Sequence, residues 1–554
     1  MTMKKKIYIV IILLLTIIFA CDDGFLDKSP YDGLSSSMIF NSDANATMAI
    51  NGVYTQVAQT SFNWQFFCFI TNIGPEGLCL WRAAWGMSWT QGLGTIRDAR
   101  VLNYYRNFYR PISYANAVIS GLEENEMVSE DLRGRIIGEA KFLRALCYFY
   151  LYNIFGDVVI IDEPILSDEQ YKERSPKNEV IELVISDLTD AIGKLPVAYE
   201  SGDLGRVTKG AAIAMLGKVY LYEEQWADAA GQFEKLLSSP YTYELVDNFG
   251  DNFYWQTQNN SESVFELQFN MEAGLGSDFI HVYGNRVTGG AQGDEYSVVS
   301  QKVFKFYTHN DGSPIDFSTM PPDEGYPDDV AWGLDIMDWY QTTMEDVDKR
   351  LHQSVIIPGS TYLGKGGVDY KLYWPYKPYI GADPPPIRVT LNDEGVLLVR
   401  KFLTLGDELT LGEYDGPANI PVIRFADVLL MYAEAKNEVS ASPGTEVYNA
   451  INRVKTRAGI VNATPGLSKE EMRREIRLER FREFMFEGIL YFDVRRWRTA
   501  HTDDPVFGLN GEEWDFVLRR KHYETVFNES RDYLWPIPGQ EIDINSLMTQ
   551  NPGW

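Results

Sequence analysis

The sequence predicts a mainly α-helical protein: tetratricopeptide-like helical repeats in an α-α superhelix, with a loop-rich ligand-binding face and few short strands. Three observations predict it. Segments with apolar residues at helical spacing fill positions 43 to 237 and resume after 420. One pair of them fits the tetratricopeptide pattern, whose period is about 34 residues. Between 241 and 419 the texture changes, with Gly, Pro, Asp and Asn dense and aromatic residues scattered among them.

The elements follow in order. Asp43 to Gln59, Leu102 to Glu124, Glu130 to Phe155 and Asn178 to Leu195 read as helices. Pro111 lies inside the second and predicts a kink, because proline removes a backbone donor. Gly156 supplies a C-cap to the third and Pro196 stops the fourth. Val207 to Leu237 holds the tetratricopeptide-like pair. Leu216, Gly217 and Tyr220 lie on its first helix, Trp226 near the turn, Ala229 and Phe233 on its second, and Pro240 near the close. Small residues there let paired helices approach, and large ones fill the groove between them. Ala140 to Ala145 with Tyr148 reads as the first helix of another unit, and Asn178 to Leu195 as its second. A lone repeat cannot bury its own face, so several units are expected.

Within 241–419, "PPDEGYPDDVAWG" and "YIGADPPPIRV" are long-loop signals, and Ser263 to Phe269 and Val396 to Phe402 read as short strands. Loops this long in a compact protein are functional or disordered, and the aromatic content argues for function. Helices resume at Pro421, where Val422, Phe425, Val428, Leu429, Tyr432 and Ala433 share one face. Glu446 to Ala458 is next, then Lys469 to Trp497 as one long charged helix. The alternating Arg and Glu of "RLERFREFMFEG" predict solvated i,i+4 pairs on that helix. The predicted division is 1–20 as a signal peptide, 21–240 as the repeat-containing region, and 241–554 as a C-terminal region. The last is loop-rich over 241–419 and helical over 420–554, and both regions form one compact body.

Lys4, Lys5 and Lys6 precede an apolar run, Ile7 to Ala20, which has the layout of a secretory signal. The run is shorter than the roughly 20 residues that a membrane span needs. Ile18-Phe19-Ala20-Cys21 resembles a bacterial lipobox, which implies cleavage before Cys21 and lipid on its thiol and new amine. Acyl chains contribute roughly 0.8 kcal/mol per buried CH2, enough for two or three to hold a protein at a membrane.

The formal charge is −28, and three units more negative once the leader lysines are gone. Such a chain repels phosphate backbones, so no nucleic-acid partner is predicted. There are four cysteines, Cys21, Cys68, Cys79 and Cys147, with no CxxC and no zinc spacing. Cys147 reads as core, and a Cys68–Cys79 pairing is left open. No metal site or cofactor is predicted; loop acids could hold a structural calcium ion, but no EF-hand pattern supports one. No catalytic residue is assigned either. The five histidines are dispersed, and HExxH, GxSxG and P-loop patterns do not occur.

Aromatic residues make up 14% of the chain, with 33 Tyr, 29 Phe and 13 Trp, so some are expected on loops as ligand platforms. Sugars are gripped by flat apolar rings together with planar polar partners. In "EGLCLWRAAWGMSW", Trp81, Trp85 and Trp89 are spaced four apart, which would align them on a helix face, with Glu76 and Arg82 beside them. The loop-rich half adds Tyr283, Asn285 and Arg286, then Tyr296, Tyr326, Trp332 and Trp339. The candidate ligand contacts are therefore Glu76, Trp81, Arg82, Trp85, Tyr283, Asn285, Arg286, Tyr296, Trp332 and Trp339. Paired carboxylates of a secreted glycoside hydrolase and a peptide-binding helical-repeat scaffold are the rival readings.

Seven stretches, in order from Cys21 to Trp554, resemble the SusD/RagB family of bacterial outer-membrane lipoproteins. They are "CDDGFLDKSP", "EAKFLRALCYFYLYNIFGDVVI", "NNSESVFELQF", "VIRFADVLLMYAEAKNE", "INRVKTRAGI", "IRLERFREFMFEGILYFDVRRW" and "LWPIPGQEIDIN…QNPGW". The resemblance implies a surface-exposed, non-enzymatic protein of the cell outer membrane. It would cap a TonB-dependent (SusC-like) transporter and deliver oligosaccharide, or in some members peptide, to it. The aspartates after Cys21 resemble the surface-export signal of such lipoproteins.

Overall fold

Ser42 Oγ accepts from the Asn45 N–H and opens the first helix, α1, Asp43–Gln56. The computed structural model of the protein describes residues 39–78, 86–164, 171–272, 274–285, 287–288, 298–322, 324–374, 382–387, 397–406, 416–515 and 520–554. The leader, Cys21 and Cys79 lie outside them. A π turn, Val57–Ser61, extends α1. Then follow α2, Trp64–Ile73, capped by Asn63, and α3, Ala99–Leu122, capped by Asp98. Cys68 is buried in α2, with Asn72 Nδ2 3.5 Å from its sulfur.

Helix α3 runs on through Pro111. A proline leaves the carbonyl four residues earlier without its helix donor. That carbonyl, on Asn107, instead accepts from Ser61 Oγ at 2.8 Å, with Thr60 Oγ1 at 3.4 Å. The hydroxyls of the π turn thus repair the ladder.

Helices α4, Glu130–Phe155, α5, Lys177–Lys194, α6, Lys209–Tyr222, and α7, Trp226–Lys235, each pack on the next, and α4 packs on α3. This is the predicted tetratricopeptide-like succession. A Cβ on Gly217 would stand 2.6 Å from the Phe233 ring, so only glycine allows α6 and α7 this approach.

In the C-terminal part, α8 spans Asp329–Met344, α9 Phe425–Val439, α10 Thr445–Ala458, α11 Lys469–Phe484 and α12 Leu490–Arg496. Two expectations change here. The helix expected from Pro421 is preceded by a strand, Ile420–Arg424, all five residues of which are buried. It pairs antiparallel with Ser263–Leu267, so its apolar run faces core on both sides. The expected single helix Lys469 to Trp497 is two, because Phe486 and Gly488 take left-handed backbone angles, φ 63° and 70°.

From Glu479 to Glu487 the Arg and Glu of "RLERFREFMFEG" are also not solvated. Glu479, Arg480 and Glu483 are fully buried. Arg350 reaches Glu479 at 2.7 Å and Glu483 at 2.8 Å. Glu483 also accepts from Arg424 at 2.9 Å and Arg457 at 2.5 Å, and these three guanidiniums outweigh burial and hold its carboxyl well below the usual range. Arg480 joins Asp427 at 2.7 Å and Asp493 at 2.8 Å. Lys218 of α6 reaches Asp427 at 3.2 Å and ties the repeat region to α9.

The strands among the described residues are short and form two-stranded antiparallel pairs. In chain order they are β1 Gly77–Leu78, β2 Ser263–Leu267, β3 Val298–Val299, β4 Val355–Ile356, β5 Thr361–Gly364, β6 Val368–Lys371, β7 Leu398–Val399, β8 Ile420–Arg424, β9 Gly511–Asp515 and β10 Arg520–Thr525. The pairs are β1–β3, β2–β8, β4–β7, β5–β6 and β9–β10. One large apolar cluster joins Ala46 of α1 to Met548 near the C-terminus, through both helical parts.

Candidate functional site

Strand β1 lies against the end of α2. A Cβ on Gly77 would meet the Thr71 carbonyl oxygen at 2.3 Å, so the strand can sit there only as glycine. Across the pair, Gly77 faces Val299 and Leu78 faces Val298. The Ser300 N–H donates to the Glu76 carbonyl at 2.9 Å and extends the ladder. This register fixes the feet of two connections. The chain leaves Leu78 toward Trp81, Arg82 and Trp85, and it arrives at Val298 from Tyr296. The two departure points are paired residues.

Beside these feet lies a cleft with a volume of about 40 Å³, bounded by Gly74 and Pro75, by Trp89 and Thr90, by Lys302, and by Glu513, Tyr523 and Val526 of the β9–β10 region. Its polar wall is built. Lys302 Nζ is 2.7 Å from Glu513 Oε1, and Ser300 Oγ donates to Glu513 Oε2 at 2.7 Å. Trp89 Nε1 donates to Asp98 at 2.8 Å, and its ring packs on Phe69, Trp535 and Trp554.

On the other face of the same hairpin stands Trp514, 38% exposed and the most open tryptophan among those described. Its Nε1 donates to Glu512 Oε2 at 2.8 Å. Lys521 Nζ holds that carboxylate at 3.0 Å and Glu524 at 2.9 Å. The indole is fixed in orientation with charged groups at its edge. Sequence reading misses Trp514, because Glu513 and Asp515 point inward and the ring outward, the reverse of the usual alternation. The period-2 pattern of "GEEWD" is the available signal.

Of the ten predicted ligand contacts, Trp81, Arg82, Trp85, Arg286 and Tyr296 lie outside the described residues. The other five are interior. Glu76 is buried, and burial pushes its carboxyl up to about 8, while Lys401 pulls the other way. Tyr283 lies near-parallel to Phe279 at 5.5 Å and to Phe402 at 6.3 Å, two rings that stack on each other at 4.5 Å, with its hydroxyl 3.3 Å from Thr71 Oγ1. Asn285 is fully buried, its Oδ1 accepting from the Val287 N–H at 3.0 Å. Trp332 donates to the Pro321 carbonyl at 3.3 Å and meets Trp374 edge-on. Trp339 donates to Thr319 Oγ1 at 3.0 Å and packs on Phe317. Stacking on a sugar needs an open face, and at these positions protein neighbours occupy it. All five side chains are buried among protein neighbours.

Among the described residues no group of three or more His, Cys, Asp or Glu is arranged to hold a metal ion, and no helix is long and apolar enough to cross a membrane.

Fold and site together define a class: a tetratricopeptide-like helical body that supports a face of irregular loops. The chain belongs to the SusD family, whose model matches residues 261–554, more than half of its length. A second model, described as "Starch-binding associating with outer membrane", matches residues 24–221. The chain is 27% identical to SusD-like protein P2 of Formosa agariphila over 100% of both chains. It is 23% identical to the starch-binding protein SusD of Bacteroides thetaiotaomicron, over 77% of this chain and 74% of that one. A crystal structure of a SusD-like protein from Bacteroides fragilis superposes with a TM-score of 0.76 at 22% identity, over 95% of this chain and 100% of that one.

Proposed function

We propose that the protein is a surface-exposed outer-membrane lipoprotein, anchored through Cys21, that binds oligosaccharide or polysaccharide. It hands the ligand unchanged to a partner TonB-dependent transporter and is a binding protein, not an enzyme. The match of residues 24–221 to the starch-binding, outer-membrane-associating model carries this reading. The relative named a starch-binding protein adds to it. The site geometry agrees: a paired two-strand foot launches the connections that bear Trp81, Arg82, Trp85 and Tyr296, beside a cleft walled by the Lys302–Glu513 pair and the fixed Trp514 ring. In this reading those rings stack on pyranose faces, Arg82 and Arg286 bond hydroxyls, and Glu76, Tyr283, Asn285, Trp332 and Trp339 hold the platform in place.

Isothermal titration of the mature protein against a polysaccharide panel tests this directly. Saturable binding is expected, lost in the Trp81→Ala/Trp85→Ala double variant. Steady release of reducing sugar would overturn the non-catalytic reading. Cys21→Ala is expected to release the protein from membranes, and co-purification with an outer-membrane transporter from native membranes tests the partnership.

A further inference from the structure

A second open groove lies between the repeat helices and the start of the loop-rich region, and it shares no lining residue with the cleft beside the β1–β3 pair. Two adjoining clefts, with volumes of about 220 Å³ and 490 Å³, meet along Leu204, Gly205 and Arg206. Tyr199, Tyr241 and Tyr243 line one, and Asn51, Gln59 and Gln268 line the other. The larger is within the roughly 300–1,000 Å³ usual for ligand sites.

The groove is preorganised at both chemistries that a sugar requires. Tyr241 and Tyr243 are parallel, with centroids 6.0 Å apart and ring planes 6° apart. Tyr243 is backed by Phe425, and its hydroxyl is 3.4 Å from Thr208 Oγ1. Tyr241, the outer ring, is half-buried. Past the rings, Asn259 and Gln268 bond each other reciprocally: Asn259 Nδ2 donates to Gln268 Oε1 at 2.8 Å and Gln268 Nε2 to Asn259 Oδ1 at 3.0 Å. Asn419 Nδ2 donates to Gln268 Oε1 at 3.0 Å and to Glu266 Oε2 at 3.0 Å, which locks the row. Gln268 is thereby saturated, its second N–H going to the Glu266 carbonyl at 2.9 Å, and it fixes the Asn259 amide, which keeps one N–H and one lone pair for hydroxyl groups.

Arg206, the cation that lines the groove, is matched by carboxylates. Arg206 is 2.6 Å from Asp203 and 3.2 Å from Glu139, and donates to Asn51 Oδ1 at 3.0 Å. Glu266 is buried and accepts from Asn259 N–H and Asn419. With Arg206 neutralised, no free cation among the described residues lines the groove to select an anionic ligand.

We infer that this groove is a second saccharide site, for a neutral oligosaccharide whose pyranose face lies on Tyr241 and whose hydroxyls meet the Asn259 amide. The inference rests on the glycan-binding reading above and adds a site away from the connections that leave β1 and β3. It predicts a protein that holds one polymer at two places.

Hydroxyl-radical footprinting of the mature protein, alone and with millimolar maltohexaose, laminarihexaose, xylohexaose or mannohexaose, reads the groove residue by residue. Calorimetry on the same samples reports total binding. At least one hexasaccharide is expected to slow oxidation of Tyr241 threefold or more. Leu204→Arg places a long side chain at the junction of the clefts, on a residue that is 60% exposed, and is expected to abolish that protection without lowering Tm. A hexasaccharide that binds by calorimetry yet leaves Tyr241 oxidation unchanged overturns the second site and leaves the function standing. Protection that survives Leu204→Arg also overturns it. Failure of all four sugars to bind removes the inference together with the reading of a neutral-glycan binder.

Discussion

Ser61 Oγ donates at 2.8 Å to the Asn107 carbonyl, the group that Pro111 strips of its helix partner. Ser61 is nearly fully buried, so its loss leaves that acceptor with only the longer contact from Thr60. An unsatisfied buried acceptor costs about 1–3 kcal/mol. Ser61→Ala is expected to lower unfolding free energy by about that amount, read from denaturant titration. Pro111→Ala, which restores the helix donor, should offset part of the Ser61→Ala loss.

Gly217 and Phe233 make a second pair that depends on distance. A methyl group at Gly217 would enter the Phe233 ring, whereas at Gly231, on the neighbouring helix, a methyl group meets nothing within 4 Å. Gly217→Val should destabilise by about 1–3 kcal/mol or more through overpacking. Gly231→Ala should be neutral or stabilise by about 0.5–1 kcal/mol. Equal effects at the two positions would refute the close approach of α6 and α7.

The charged residues of α11 show why some of the structure was legible in the sequence and some was not. Helix faces and the Gly217 contact follow from local spacing, and local spacing is written in the chain. Arg and Glu at i,i+4 look the same whether water or protein surrounds them. Glu483 is buried because Arg350, Arg424 and Arg457 arrive from other elements. The strand Ile420–Arg424 was hidden for a similar reason: its apolar run fits a helix until Ser263–Leu267 comes to pair with it. At the candidate site, tryptophans of the loop-rich half read as packing as readily as exposure, and Trp332 and Trp339 are buried. The solvent-facing Trp514 sits between inward acids, a pattern that polarity alone does not reveal.

Glu483→Ala removes the anion shared by three guanidiniums and leaves buried charge uncompensated, a loss of about 3–5 kcal/mol. Glu470→Ala, at an exposed position of the same helix, should change stability by under ~0.5 kcal/mol. Thermal unfolding of the two variants side by side checks the contrast. A mild Glu483→Ala would mean that the network is not needed for the fold.

Glu76 gives a pH dependence with a definite sign. Burial raises its pKa from 4.5 to about 8 in the folded protein, with Lys401 lowering it and Asp493 raising it in smaller measure. A raised carboxyl favours folding below its unfolded pKa, and that contribution drains away as pH climbs toward 8. Each pKa unit corresponds to about 1.4 kcal/mol. Glu76→Gln keeps the neutral shape at every pH. It should therefore be near wild type in stability at pH 5 and more stable than wild type at pH 8.5, by denaturant titration at both. A constant difference between the two pH values would sink this account.

Trp514 offers the sharpest test of the candidate face. Its ring is open, and its orientation is set by Glu512, which Lys521 holds in turn. A fixed ring loses little freedom when a sugar lies on it, so its stacking contribution is retained in binding. Removing an aromatic contact worth about 0.5–1.5 kcal/mol weakens binding roughly 2- to 10-fold. Trp514→Ala should do so toward whichever polysaccharide the protein takes, with stability unchanged because the ring packs little. Glu512→Ala leaves the ring but frees it, and a smaller loss is expected. Affinity electrophoresis in polysaccharide gels ranks the three proteins directly. Equal retardation of wild type and Trp514→Ala would remove the β9–β10 hairpin from the binding face and return the burden to the connections launched at Leu78 and Val298.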